Sequence, residues 1–316
     1  MTSSVLPQLS GDRMFITDGG LETDLIYHRG LELPCFASFP LLADEHATGV
    51  IRDYYDRFLT LARERDLGML LDTVTWRANR DWGEELGYSP VELSAANRRA
   101  VVFAEEIRGA HPGTIVLISG CIGPRRDAYT ADDLMSAEEA EDYHSAQIAT
   151  LAEAGVDLIG ALTITNVPEA VGIARAAGRT GVPSAISFTL ETDGRLPSGQ
   201  SLRSAIEETD ASTGSAPAYY MINCAHPTHF AHLFDEEGPW LERIRGVRAN
   251  ASKLSHEELD EADELDEGDP DELASDYRAL LERLPNLTVL GGCCGTDYRH
   301  VEAVCAACDG SFPPVR

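Results

Sequence analysis

Eight short, almost wholly apolar runs alternate with longer stretches of helical character, and this alternation narrows the possible folds more than any other feature of the chain. The runs are Met14–Thr17, Gly68–Leu71, Ile115–Ser119, Val156–Ala161, Ser184–Thr189, Ala218–Ile222, Gly246–Ala249 and Leu287–Leu290. Each is nearly continuous in its apolar character, as a strand buried on both faces of a parallel sheet must be. Helices are expected near residues 44–66, 90–110, 136–154, 167–178, 199–209, 227–243, 270–284 and 298–308. Ser136 and Glu139 make a capping box for the third of these, and Gly155 closes it. Eight strand–helix units in one chain of 316 residues predict a single-domain α/β fold, a (β/α)8 TIM barrel. The alternative is a doubly wound open sheet, which usually carries a glycine-rich first turn. Asp18-Gly19-Gly20 is not such a turn, and no phosphate-binding loop occurs elsewhere.

Charge removes several classes of partner. The 53 acidic and 25 basic side chains give a net charge of −28. Nucleic acids and anionic membranes are recognised by clustered cations, so neither is an expected partner. Lys253 is the only lysine, a composition that suits solubility in high salt. Met1 to Arg13 has no apolar signal region, and no run approaches the ~18 apolar residues of a membrane span. A cytoplasmic location follows as the expectation, with the seven cysteines free or metal-bound rather than paired in disulfides. Oligomerisation is compatible with the sequence. Residues 256–273 are strongly acidic and are expected to form a solvated loop or helix, since their spacing does not fit a calcium-binding loop.

In a barrel of this kind reactive groups lie at the C-terminal ends of the strands. There the sequence places Asp18 and Glu22, then Asp72, Thr75 and Trp76, then Cys121, Thr163, Glu191, Asn223 with Cys224, Asn250, and finally Cys293-Cys294. Adjacent cysteines in a regular strand face opposite sides. Gly291, Gly292 and Gly295 permit the turn that would aim both at one centre, and strands six and eight flank strand seven, so Cys224 can join them. Three thiolates suit one soft metal ion, zinc at Zn–S ~2.3 Å, with a fourth tetrahedral position left for a substrate. A rival set adds Cys305 and Cys308 to Cys293 and Cys294, but a helix from Tyr298 carries that pair ~10–15 Å away at 1.5 Å per residue. His226 and His229 are further candidate ligands, better read as hydrogen-bonding or solvated. A thiol that binds such an ion loses its proton, which presents a thiolate to an electrophile. S-alkylation is the natural reaction.

These residues fall in motifs that resemble the zinc-dependent homocysteine S-methyltransferase family, which includes betaine– and S-methylmethionine–homocysteine methyltransferases. The resemblance spans nearly the whole chain. It is carried by Asp18-Gly19-Gly20-Leu21-Glu22-Thr23, Thr75-Trp76-Arg77-Ala78-Asn79, Gly120-Cys121-Ile122-Gly123-Pro124, Ser187-Phe188-Thr189, Asn223-Cys224 and Gly291-Gly292-Cys293-Cys294-Gly295-Thr296. It implies that Cys224, Cys293 and Cys294 hold Zn2+ and that a substrate thiol is the fourth ligand. Asp18, Gly19, Glu22, Thr75, Trp76, Thr163, Glu191 and Asn223 would then serve substrate binding, with no separate general base. Homocysteine or a relative would take a methyl group from an onium donor such as S-methylmethionine or betaine, whose cation Trp76 could face. One departure stands out. Family members carry a glutamate just before the threonine that ends strand four, where it can meet the substrate ammonium; here the stretch reads Gly160-Ala161-Leu162-Thr163. Asp18, Glu22 or Glu191 could replace that carboxylate, or the thiol could differ. Two readings from other classes are a non-catalytic zinc- or thiol-binding barrel and a barrel hydrolase using Asp18, Glu22 or Glu191 as paired carboxylates.

Overall fold

The computed structural model describes residues 6–131, 133–262, 264–284 and 286–309. The eight expected runs form a closed parallel barrel: β1 (Phe15–Ile16), β2 (Gly68–Asp72), β3 (Val116–Ile122), β4 (Leu158–Ile164), β5 (Ser184–Phe188), β6 (Tyr219–Asn223), β7 (Ile244–Ala249) and β8 (Val289–Gly292). Phe15 pairs with Val289 and Ile16 with Leu290, which closes the ring. Outside it lie α1 (Glu45–Glu64), α2 (Pro90–Ala110), α3 (Ala137–Ala154), α4 (Val167–Thr180), α5 (Leu202–Thr213), α6 (Pro270–Arg283) and α7 (Tyr298–Cys308). The capping box on α3 forms as the sequence predicts, and Gly155 ends the helix at φ +99°.

The helix expected over 227–243 does not form as one piece. Pro227–Phe230 makes a single helical turn, followed by 3-10 turns at Ala231–Asp235 and Pro239–Arg243. The ring of Pro239 drives Gly238 out of helical conformations, so the segment cannot propagate. Two strands also run longer than their apolar cores suggest. Cys121 lies inside β3 and Thr163 inside β4, instead of following them.

Side-chain alternation then sorts the barrel interior into layers. Phe15, Leu70, Leu117, Leu158, Ala185, Tyr219, Met221 and Val289 form one buried apolar cluster that plugs the N-terminal end. Two residues further along their strands stand Asp72, Ser119, Ser187 and Asn223, all buried. Polar groups thus begin where the apolar plug ends. The acidic stretch 256–273 is not simply solvated. Its first turn, His256–Asp260, buries His256, and Leu259 and Leu265 line the cavity at the barrel mouth. Asp263 of that stretch lies outside the described residues.

Candidate metal centre and substrate cavity

Local backbone geometry brings the sulfurs together. β6 ends in Asn223, and Cys224 turns at φ +56°, a left-handed conformation that a cysteine adopts at a cost and that the surroundings must hold. They do so at both ends of the residue: its N–H donates to the Arg248 carbonyl at 3.1 Å, and its carbonyl accepts from His256 Nε2 at 2.7 Å. On the other side of β7, Cys293 donates its N–H to the Ala249 carbonyl at 2.8 Å, and Ala251 donates to the Cys294 carbonyl at 3.0 Å. Gly295 at φ +76° completes the reversal that lets consecutive cysteines face one point. A Cβ on Gly292 would overlap the Thr296 hydroxyl, so this approach tolerates no side chain.

The result is a trio. Cys293 Sγ lies 3.0 Å from Cys224 Sγ, Cys224 Sγ lies 3.5 Å from Cys294 Sγ, and all three lie within 4.8 Å of one another. Hydrogen bonds from the Cys224 and Cys294 thiols, helped by the charge of Arg248 and the Asn223 amide, hold Cys293 well below the usual thiol range despite its burial. Donating to Cys293 pushes Cys224 correspondingly up. One thiolate already favoured among three convergent sulfurs is a donor set that fits a soft metal ion. No other such cluster of cysteine, histidine and carboxylate ligands occurs among the described residues. Cys305 and Cys308 are buried on α7 and take no part, and burial pushes their thiols up to about 12 and about 11.

Asn223 organises the floor beside the trio. Its Oδ1 accepts from Thr163 N at 2.9 Å and from Ser187 Oγ at 2.6 Å, while its Nδ2 faces Cys293 Sγ at 3.8 Å. Thr163 is thereby held at φ +62°, unusual for a β-branched residue, where the β4–β5 register shifts. Beneath lies an ion triad that motif reading alone did not single out. Arg248, 6% exposed, donates to Asp18 Oδ1 at 2.7 Å, to Asp72, and through Nε to the Gly292 carbonyl at 3.2 Å. An arginine within the apolar run Gly246–Ala249 of β7 was the available signal. One cation cannot neutralise two carboxylates. Burial, relieved only in part by Arg248 and aggravated by Asp72, raises Asp18 to about 7.

A cavity of about 430 Å³ opens above these groups, lined by the three cysteines, Asp18, Gly19, Glu22, Trp76, Thr163 and Asn223 among others. Two residues expected there are elsewhere. Thr75 is fully buried and donates its hydroxyl to the Cys121 carbonyl at 2.6 Å, which ties β2 to β3. Glu191 does not line the cavity. It bonds His256 Nδ1 at 3.1 Å and so steadies the imidazole that holds the Cys224 carbonyl. Glu22 accepts from Ser38 Oγ at 2.9 Å, and burial raises its pKa. Trp76 already carries a cation, since Arg77 sits 4.3 Å from its ring centre. Sequence reading also passed over Tyr129, whose hydroxyl lies 3.5 Å from Cys224 Sγ and 3.6 Å from Cys294 Sγ and whose ring stacks on His256 at 4.1 Å. With Asp18 bound to Arg248 and Glu191 outside the cavity, the paired carboxylates of a hydrolase are not assembled.

Comparison with known proteins places this arrangement. The family model for homocysteine S-methyltransferase matches residues 15–308. Selenocysteine Se-methyltransferase of Brassica oleracea var. italica is 25% identical across 92% of this chain and 87% of its own length. Homocysteine S-methyltransferase 4 of Zea mays is 28% identical across 92% and 88%. Among solved structures, the oxidized form of homocysteine methyltransferase MmuM from Escherichia coli superposes with a TM-score of 0.73 at 20% identity, covering 93% of this chain and 96% of that one. That likeness is one of fold.

Proposed function

This chain belongs to the homocysteine S-methyltransferase family and is a methyltransferase, and from that premise we propose that it methylates a thiol, homocysteine or a close relative, at a zinc site formed by Cys224, Cys293 and Cys294. The observation that carries this reading is the convergence of three sulfurs at the floor of one cavity. Zinc held there would supply a soft fourth coordination position, at which a substrate thiol gives up its proton at neutral pH. A selenol, the acceptor type named for the Brassica relative, fits the same chemistry.

The chain's own residues prepare that event. Arg248 and Asn223 favour negative charge on Cys293, so less proton loss remains to be driven at this sulfur. His256 and the carbonyl of Arg248 hold Cys224 in its strained turn. The cavity brings acceptor and donor to one place, which removes orientational entropy from the reaction. Glu22, Asp127, Asp260, Glu264 and Asp266 line it and favour a cationic donor, an onium compound such as S-methylmethionine or betaine. Leu162 lines the cavity at the position where the family resemblance leads one to expect a glutamate, and Glu22, which also lines it, is a carboxylate that can meet a substrate ammonium there.

The test is direct. Zinc-loaded protein given homocysteine and either donor should form methionine, counted by mass spectrometry, with kcat/KM for the preferred donor of about 10⁴ M⁻¹s⁻¹ or more. Failure to methylate homocysteine with S-methylmethionine, betaine or S-adenosylmethionine would contradict the reading.

A further inference from the structure

Arg77 is a buried cation that the chemistry above leaves unused. Its guanidinium is clamped between two indoles, 4.3 Å from the Trp76 ring centre and 4.1 Å from that of Trp82, and the residue is 8% exposed. Nη1 donates to the Arg126 carbonyl at 2.9 Å, whereas Nε is buried with no hydrogen-bond partner. Among the described residues no carboxylate lies within 4 Å of it. Arg248, similarly buried, has two. In a chain with 53 carboxylates, a desolvated guanidinium without one is a costly arrangement unless an anion arrives. Loss of water lowers the pKa of Arg77 from its usual value. The indole clamp fixes the plane of the group and limits its escape to solvent.

Its place gives it a ligand. Arg77 lines the same cavity as the three sulfurs, and the loop whose Arg126 carbonyl holds it continues to Tyr129, whose hydroxyl touches Cys224 and Cys294. We propose that Arg77 is the carboxylate-binding residue of this cavity, its guanidinium donating to the carboxylate of one of the two substrates. The assignment rests on the methyltransferase reading only for which molecules bring that carboxylate. A charge-assisted hydrogen bond in a dry, pre-oriented setting is the strong kind, and arginine is the side chain whose geometry matches a carboxylate.

Fluorescence of Trp76 and Trp82 reports on the clamp itself. The zinc-supplemented protein is titrated with two matched pairs: homocysteine against 3-aminopropanethiol, which lacks only the carboxylate, and S-methylmethionine against 3-aminopropyldimethylsulfonium. In one pair the carboxylate-bearing member should bind about 10- to 100-fold more tightly. Preference in the thiol pair assigns Arg77 to the acceptor, and preference in the sulfonium pair assigns it to the donor. Arg77→Gln should erase that preference while leaving the carboxylate-free member within about threefold of wild type. Arg77→Lys, which keeps the charge, should retain part of it. Equal affinities within both pairs on wild-type protein, a comparison that needs no variant to fold, would overturn the proposal, as would a preference that survives in Arg77→Gln. Carboxylate-selective binding without methyl transfer would sink the catalytic reading and leave this one standing.

Discussion

Cys293→Ser should bind zinc at least about a hundredfold more weakly than the wild type, and its methyl transfer should fall to near background at limiting zinc. Four-ligand zinc sites bind with about 10–16 kcal/mol, so one ligand's share is about 2.5–4 kcal/mol, on the order of 10²–10³-fold in affinity. Cys293 is the sulfur whose loss should matter most. Its neighbours Cys224, Cys294, Arg248 and Asn223 lower its pKa below the usual thiol range, and it lies 3.0 Å from Cys224 Sγ with the Asn223 amide at 3.8 Å. The fold should survive, because the trio sits at the mouth and the apolar plug at the other end of the barrel needs no metal. Cys308→Ser is the matched control, as Cys308 is buried on α7 outside the cluster, and it should keep full zinc content. Metal analysis of both proteins at equal free zinc, beside their thermal melts, separates loss of a ligand from loss of structure.

The second large effect concerns stability. Arg248→Met should destabilise the protein by about 3–5 kcal/mol near pH 7, since it strands Asp18 and Asp72 in the interior without their cation. A stranded carboxylate can escape by taking a proton, at about 1.36 kcal/mol per pH unit above the ordinary value of ~3.9, or about 4 kcal/mol at pH 7, and this cost applies once because Asp18 already takes up a proton near pH 7 in the wild type. The deficit should therefore shrink towards pH 5. In the wild type, Asp18 supplies its own pH dependence. Its folded pKa of about 7 lies above the unfolded value, so its contribution is fully present below about pH 4 and is lost as pH rises through about 7. Asp18→Asn should flatten that part of the curve. Urea unfolding from pH 5 to 8 on the three proteins measures both slopes. A wild-type stability that climbs between pH 5 and 7 with the same slope in Asp18→Asn would show that the triad is not protonated in this way.

Much of this was legible in the chain because it depends on periodicity and on rare residues. Continuous apolar runs fixed the strand count, and two adjacent cysteines among glycines could hardly be ordinary packing. What escaped depends on distance. Arg248 was readable in principle: Gly246 and Arg248 share one side of β7, so an arginine two residues from an inward glycine points into the barrel. Its partners Asp18 and Asp72 stand on β1's exit and on β2, and only barrel closure brings three such remote residues into contact. Tyr129 lies in a loop whose path no local rule specifies, and the acidic stretch 256–273 looked solvated because its few apolar residues are spread too thinly to mark a face. Thr75 shows the converse. Its motif position suggested substrate, yet its hydroxyl is consumed by a backbone carbonyl at 2.6 Å.

The central claim is that Cys224, Cys293 and Cys294 hold one metal ion to which a substrate thiol can add. Cobalt(II) substitution makes that visible, because sulfur-to-cobalt charge-transfer bands report the number of bound thiolates. One equivalent of cobalt should give intense near-ultraviolet absorption that rises further, and saturates, as homocysteine is added, while homoserine leaves it unchanged. A cobalt spectrum that ignores homocysteine while the three cysteines remain reduced would contradict the account.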